Sequence, residues 1–133
     1  MKLDKNYFSR QSFTSDELKK YRQSVIRYLN IAKTSTETDV KFHFAYMALI
    51  KIGIYFIAKE GYRIKSRPGH HQKIIEILSK LLDNEDIIIV GDKMRKNRNL
   101  DFYSSDSPIT ETEAAQDLKF TEEIFSKTIK NNG

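Results

Sequence analysis

A chain of 133 residues, 39% hydrophobic and 31% charged, can build one domain with its own core but not two. Its 23 Lys and Arg against 18 Asp and Glu leave a net charge of +5, compatible with nucleic-acid contact, although the two signs are interspersed along the chain. The absence of cysteine excludes a disulfide framework, a thiolate zinc site and a cysteine nucleophile, and the scarcity of Pro and Gly favours helices over sheets.

In chain order, residues 1–13 carry no apolar signal segment and read as a poorly tethered lead-in, with Tyr7, Phe8 and Phe13 available to pack back on the body. Thr14 followed by Glu17 is a capping box, and Leu18, Tyr21, Val25, Leu29 and Ala32 recur at helical spacing to about Lys33. The polar stretch 34–38 closes this helix and opens a second, from about Thr36 to Glu60, which Gly61 ends. That helix is apolar almost all round, so it is either the centre of a bundle or part of an oligomer interface. His43 and Lys51 interrupt its most apolar part, 42–58, and neither uninterrupted run has the length of a membrane span. The expectation is a cytoplasmic protein with no membrane partner.

Residues 61–69 read as a loop. A third helix follows with Ile74, Ile75, Leu78, Leu81 and Leu82 on one stripe, ending at Asp83-Asn84. The β-branched run 87–90 favours a strand locally but has no visible partner, so it is assigned to a fourth helix that continues into a basic cluster. Thr110, capped reciprocally by Glu113, starts the last helix, which uses Ala114, Leu118, Thr121, Ile124, Phe125 and Ile129. The architecture is an all-α bundle of four or five helices, 14–133 forming one helical domain.

The basic cluster, 93–103, holds Lys93, Arg95, Lys96, Arg98, Asn97, Asn99, Asp101 and Tyr103. One reading is a solvated connector with a weak Arg98–Asp101 surface pair. The other is a site in which Arg95 and Arg98 offer fork-shaped donors to a phosphate, Asn99 positions it and Tyr103 donates or stacks. His70 and His71 start the third helix; adjacent helical positions point about 100° apart, which makes them poor joint ligands for one metal. No metal or cofactor is expected. A histidine at a helix start can instead cap, or meet a phosphate near the Arg98 region.

Phe42-x-x-Ala45-Tyr46-x-Ala48-Leu49, Gly61-Tyr62-Arg63, Gly69-His70-His71 and Arg95-x-x-Arg98-Asn99-x-x-x-Tyr103, followed by an Ala-bearing last helix, resemble the HEPN superfamily over about residues 36–130. The most specific element is Arg98-Asn99 at the end of a penultimate helix. The resemblance implies a small up-down bundle, commonly a homodimer, of a kind that includes metal-independent RNA-cutting toxins, defence nucleases and companions of nucleotidyltransferases. It assigns Arg98, Asn99 and Tyr103 to a catalytic position and Arg95, Lys96, Arg98, His70 and His71 to nucleic-acid contact. The family pattern is an Arg, a polar residue and, a few residues on, a His; here Tyr103 stands where the His belongs. A phenol with an ordinary pKa of about 10 is ionised to about one part in a thousand at pH 7, far from an ideal general base. His70 or His71 would be a substitute imidazole across a dimer cleft.

The expected function is binding of RNA or a nucleotide by a catalytically weak or accessory member of a toxin–antitoxin or mobile-element system, with an antitoxin or nucleotidyltransferase partner. The alternatives are an active metal-independent endoribonuclease that uses Tyr103 in place of His, and a protein-interaction module with no nucleic-acid role.

Overall fold

The protein, a computed structural model, is described for residues 1–101 and 109–129, with only the backbone for 100 and 101. Five helices and one two-stranded sheet make up this part: β1 (Phe8–Arg10), α1 (Ser15–Thr34), α2 (Thr38–Lys59), β2 (Tyr62–Ile64), α3 (His70–Leu82), α4 (Asp86–Asp101) and α5 (Glu111–Lys127). The all-α bundle is therefore present, with the run 87–90 inside a helix.

Local chemistry explains the helix starts. Thr14 Oγ1 accepts from the Glu17 N–H at 3.1 Å and Glu17 Oε1 accepts from the Thr14 N–H at 3.0 Å, a complete capping box. Thr110 Oγ1 accepts likewise from the Glu113 N–H at 3.1 Å, but the Glu113 carboxylate takes the Thr110 hydroxyl proton (3.2 Å) instead of its backbone N–H. At the other ends, Gly61 adopts a left-handed φ of 84° after α2, and Asp83 does so after α3, where the Ser79 hydroxyl donates to the Asn84 carbonyl at 2.8 Å.

α2 is the central helix. It packs against α1, α3, α4, α5 and β2, and Phe42, Ala45, Tyr46, Leu49, Ile52 and Ile57 are all at most 2% exposed. Its apolarity is thus matched by cover over much of its surface, while Phe44, Met47, Ile54 and Phe56 stay partly exposed. By length and composition Thr38–Lys59 is apolar enough to cross a membrane despite His43 and Lys51; here 56% of its most apolar stretch is buried under neighbouring elements.

The N-terminal segment departs from the expected loose lead-in. β1 pairs antiparallel with β2, Phe8 opposite Ile64 and Arg10 opposite Tyr62, which also corrects the reading of 61–69 as loop throughout. Phe8 and Tyr62 are buried, and the Tyr62 hydroxyl donates to the Met1 carbonyl at 3.0 Å. Two three-residue strands bury too little to be stable alone; the side chains they seat against the bundle hold them.

Gly53 is where α3 crosses α2. A Cβ there would clash with Ile74 Cγ2, a branch on a side chain 1% exposed that has nowhere to move. Gly53→Ala should cost about 1–3 kcal/mol in urea unfolding. Ile74→Ala in the same chain should recover part of that loss, as a double-mutant cycle would show.

Two polar residues of α5 face the core. The Thr121 hydroxyl lies within 3.3 Å of the Ala45 carbonyl on α2 and 3.2 Å of the Asp117 carbonyl. The Asp117 carboxyl is 7% exposed, and burial, reinforced by Glu113 and opposed by Lys93, pushes its pKa up to about 6. The folded state thus binds this proton at a higher pH than the unfolded chain does. Stability is consequently gained as pH falls from about 6 toward 4 and lost as it rises. Asp117→Asn should stabilise the protein by about 1–2 kcal/mol at pH 7 in denaturant titrations, and the gain should vanish by about pH 4.

Candidate functional site

The first turn of α3 and the second half of α4 face each other across a cleft of about 450 Å³ lined by Ser66, Arg67, Pro68, Gly69, His70, His71, Gln72, Arg95, Arg98 and Asn99. One wall is set by the N-terminal segment. The Tyr7 hydroxyl donates to the Pro68 carbonyl at 3.3 Å, and Arg67 donates to the Asn6 carbonyl at 2.7 Å with its guanidinium over the Tyr7 ring. Gly69, with a φ of 84° that a side chain would strain, turns the chain from this loop into α3. His70 then folds back, its Nδ1–H donating to the Arg67 carbonyl at 2.8 Å.

The other wall is α4, anchored by Ile87 and Met94, neither measurably exposed. One and two turns beyond Gly91, the Arg95 and Arg98 side chains come to the cleft. Arg95 is largely neutralised: its Nε and Nη2 reach Asp92 Oδ1 at 2.9 and 2.8 Å, and this hydrogen bond holds the Asp92 carboxyl below the usual carboxylate range. Lys96 Nζ also sits on Asp92, at 3.1 Å from Oδ2.

Arg98 differs. Its guanidinium lies 5.7 Å from the centre of the Tyr46 ring, and its Nε is buried with no hydrogen-bond partner among the described residues. Tyr46 is fully buried on α2, and its hydroxyl is 2.8 Å from His71 Nδ1. Burial pushes the phenol up to about 12, so it keeps its proton, and burial assisted by His70, Arg98 and Arg95 pulls His71 down to about 4. A buried phenol needs an acceptor and a neutral imidazole offers one. Tyr46 therefore donates to Nδ1, and the imidazole carries its own proton on Nε2. His43, one turn before Tyr46's neighbours on α2, is also held low, by burial first and Arg98 second.

Arg95, Arg98, Asn99, His70 and His71 thus line one cleft. The two histidines line the same cleft as Arg98 within one chain. Lys96 is outside the lining, on Asp92 and exposed. Tyr103 lies outside the described residues, as does the side chain needed for an Arg98–Asp101 pair. Sequence reasoning missed Tyr46, Arg67 and Asp92. Asp92 had a signal, three residues before Arg95 on a helix; Tyr46 entered only as part of the resemblance motif on the apolar second helix, with no role given to it. Among the described residues no group of three or more His, Cys, Asp or Glu is placed to hold a metal.

No protein-family model matches the chain, and neither the curated proteins nor the solved structures contain a match.

Chemically, the cleft can bind an anion through Arg98 and hydrogen-bond it through the His71 Nε2–H. The same anion would reverse the unfavourable charge around His71 and raise its proton affinity. His71, lowered from the ordinary histidine value, is protonated in the unfolded chain first. It therefore costs stability as pH falls from about 6.5 to 4, opposite in sign to Asp117. In nitrogen-15 NMR the His71 ring should show the neutral Nε2–H pattern down to about pH 5, and Tyr46→Phe should raise its midpoint by up to about one unit. A midpoint near the ordinary histidine value in the wild type would contradict this arrangement.

Proposed function

We propose that the chain is a HEPN-like domain that binds RNA or a nucleotide by its phosphate, as a catalytically weak or accessory member of a toxin–antitoxin or mobile-element system. The observation that carries this reading is the Arg98 guanidinium: half-buried in a cleft, over an aromatic ring, with an Nε–H that has no partner among the described residues. A buried donor left unmade costs about 1–3 kcal/mol, and the guanidinium that carries it belongs to the cleft lining, where it can take an oxyanion. Arg67, whose described hydrogen bond is to a neutral carbonyl, and the Asp92-held Arg95 add positive potential at the same mouth.

An endoribonuclease is the second reading, and His71 favours it. The imidazole that the Arg98-Asn99 motif lacks along α4 is supplied to the same cleft by α3. In that case His71, not Tyr103 alone, is the group to test. A homodimer and a nucleotidyltransferase or antitoxin partner belong to the same proposal, and the exposed Ile88 and Ile89 of α4 are the apolar residues such a contact would cover.

Arg98→Ala should weaken single-stranded RNA binding about tenfold or more and reduce the salt slope by about one. Binding unchanged in the variant would contradict the reading. Cleavage of labelled RNA in EDTA that is lost in both Arg98→Ala and His71→Phe would favour the nuclease over the binding domain.

A further inference from the structure

The cleft concentrates its charge at one place. Arg98 lines it beside His71, its guanidinium backed by the buried Tyr46 ring, which itself does not line the cleft. Arg67 faces it from the loop before α3, and Arg95, offset by Asp92, stands one turn away. Two arginines with no carboxylate partner among the described residues, Arg98 and Arg67, thus line one space of about 450 Å³, the Arg67 guanidinium being held by the Asn6 carbonyl and the Tyr7 ring. Arg98 and Arg67 offer their free N–H donors to an oxygen ligand that enters that space. A chain end can enter a cleft head-first. An internal phosphodiester, with backbone continuing on both sides and one charge shared by two free oxygens, is a poorer match. A terminal phosphate brings three acceptor oxygens and a charge between about −1.5 and −2 at pH 7.

We propose that this cleft is a phosphomonoester pocket, taking the dianionic terminal phosphate of an RNA or a mononucleotide in preference to an internal diester. The proposal rests on the reading of the cleft as a phosphate site and names its ligand. In the bound state Arg98 gives the forked contact, Arg67 closes from the opposite wall, and His71 donates from Nε2. The groups that face His71 are Tyr46 from α2, His70 from its own helix, and Arg95 and Arg98 from α4, with Asp92 behind Arg95. All but Asp92 are neutral or cationic, so a dianion supplies the missing negative charge and draws a proton onto the imidazole.

The test is fluorescence anisotropy with one RNA oligonucleotide prepared with a 5′-phosphate, with a 3′-phosphate, or with hydroxyls at both ends, at near-physiological salt. One phosphorylated end should bind about tenfold more tightly than the hydroxyl form, and the difference should disappear in Arg98→Ala. Arg98→Lys, which keeps the charge and loses the fork, should lose most of the preference while retaining the wild-type circular dichroism. AMP added as competitor separates the two sources of the phosphate. Competition at the concentration of the oligonucleotide end assigns the pocket to mononucleotides, and its failure assigns the pocket to RNA ends; either supports the proposal. An upward shift of the His71 midpoint with AMP is the second supporting readout. Equal affinity for all three oligonucleotides, each weakened by Arg98→Ala, would overturn the monoester pocket and leave a diester site. Affinity for all three that ignores Arg98 would overturn both.

Discussion

A fully buried phenol must hydrogen-bond to an acceptor, and with the face of its ring that requirement makes Tyr46 the meeting point of three helices in this protein. Tyr46 sits in the middle of α2, the one helix that packs against every other helix of the bundle, flanked by Ala45 and Met47. Its hydroxyl finds the Nδ1 of His71 on α3, and its ring face receives the guanidinium of Arg98 on α4. Removing the acceptor would leave an unpaired hydroxyl in the core, and removing the ring would leave Arg98 without its supporting face. Core packing and the cleft therefore share one residue, and what holds the site in place is also what fills the centre of the fold.

The electrostatics follow from the same burial. His71 is kept neutral because it is partly desolvated and surrounded by positive or neutral groups, and Tyr46 is kept protonated because it is desolvated further. Asp92 does for Arg95 what nothing among the described residues does for the Arg98 Nε. The net charge of +5 is spread over the chain and says little; the local balance at α3 and α4, where one guanidinium is paired and another is not, is informative. Two buried titrations of opposite sign, Asp117 and His71, also offset each other in mildly acidic solution, so the pH dependence of stability in the whole protein hides both.

How much of this was legible in the sequence depended on range. Helix starts were, because caps are made within four residues: Thr14 with Glu17 and Thr110 with Glu113 are readable without a fold. The helical assignment of 87–90 rested on the lack of a strand partner, and the structure places those residues in α4. The β1–β2 pairing was not legible. Its strands are three residues long, lie more than fifty positions apart, and are held by the burial of Phe8 and Tyr62, not by any alternation. The site was legible in part: Arg95, Arg98 and Asn99 stood out as one polar group and a histidine meeting the Arg98 region was one of two readings, but it takes the packing of α3 on α4 to bring them all to one cleft. Tyr46 was hidden by its surroundings, since a tyrosine in an apolar run reads as core, and here it is core and site at once.

The most direct test of the account is the Arg98 Nε–H itself. Nitrogen-15 NMR of the guanidinium region should show a slowly exchanging Nε–H that is absent in Arg98→Lys and whose resonance moves saturably when inorganic phosphate is added. A resonance that exchanges as fast as those of surface arginines and ignores phosphate would mean that Arg98 is solvated, and that the cleft is not built to take an anion.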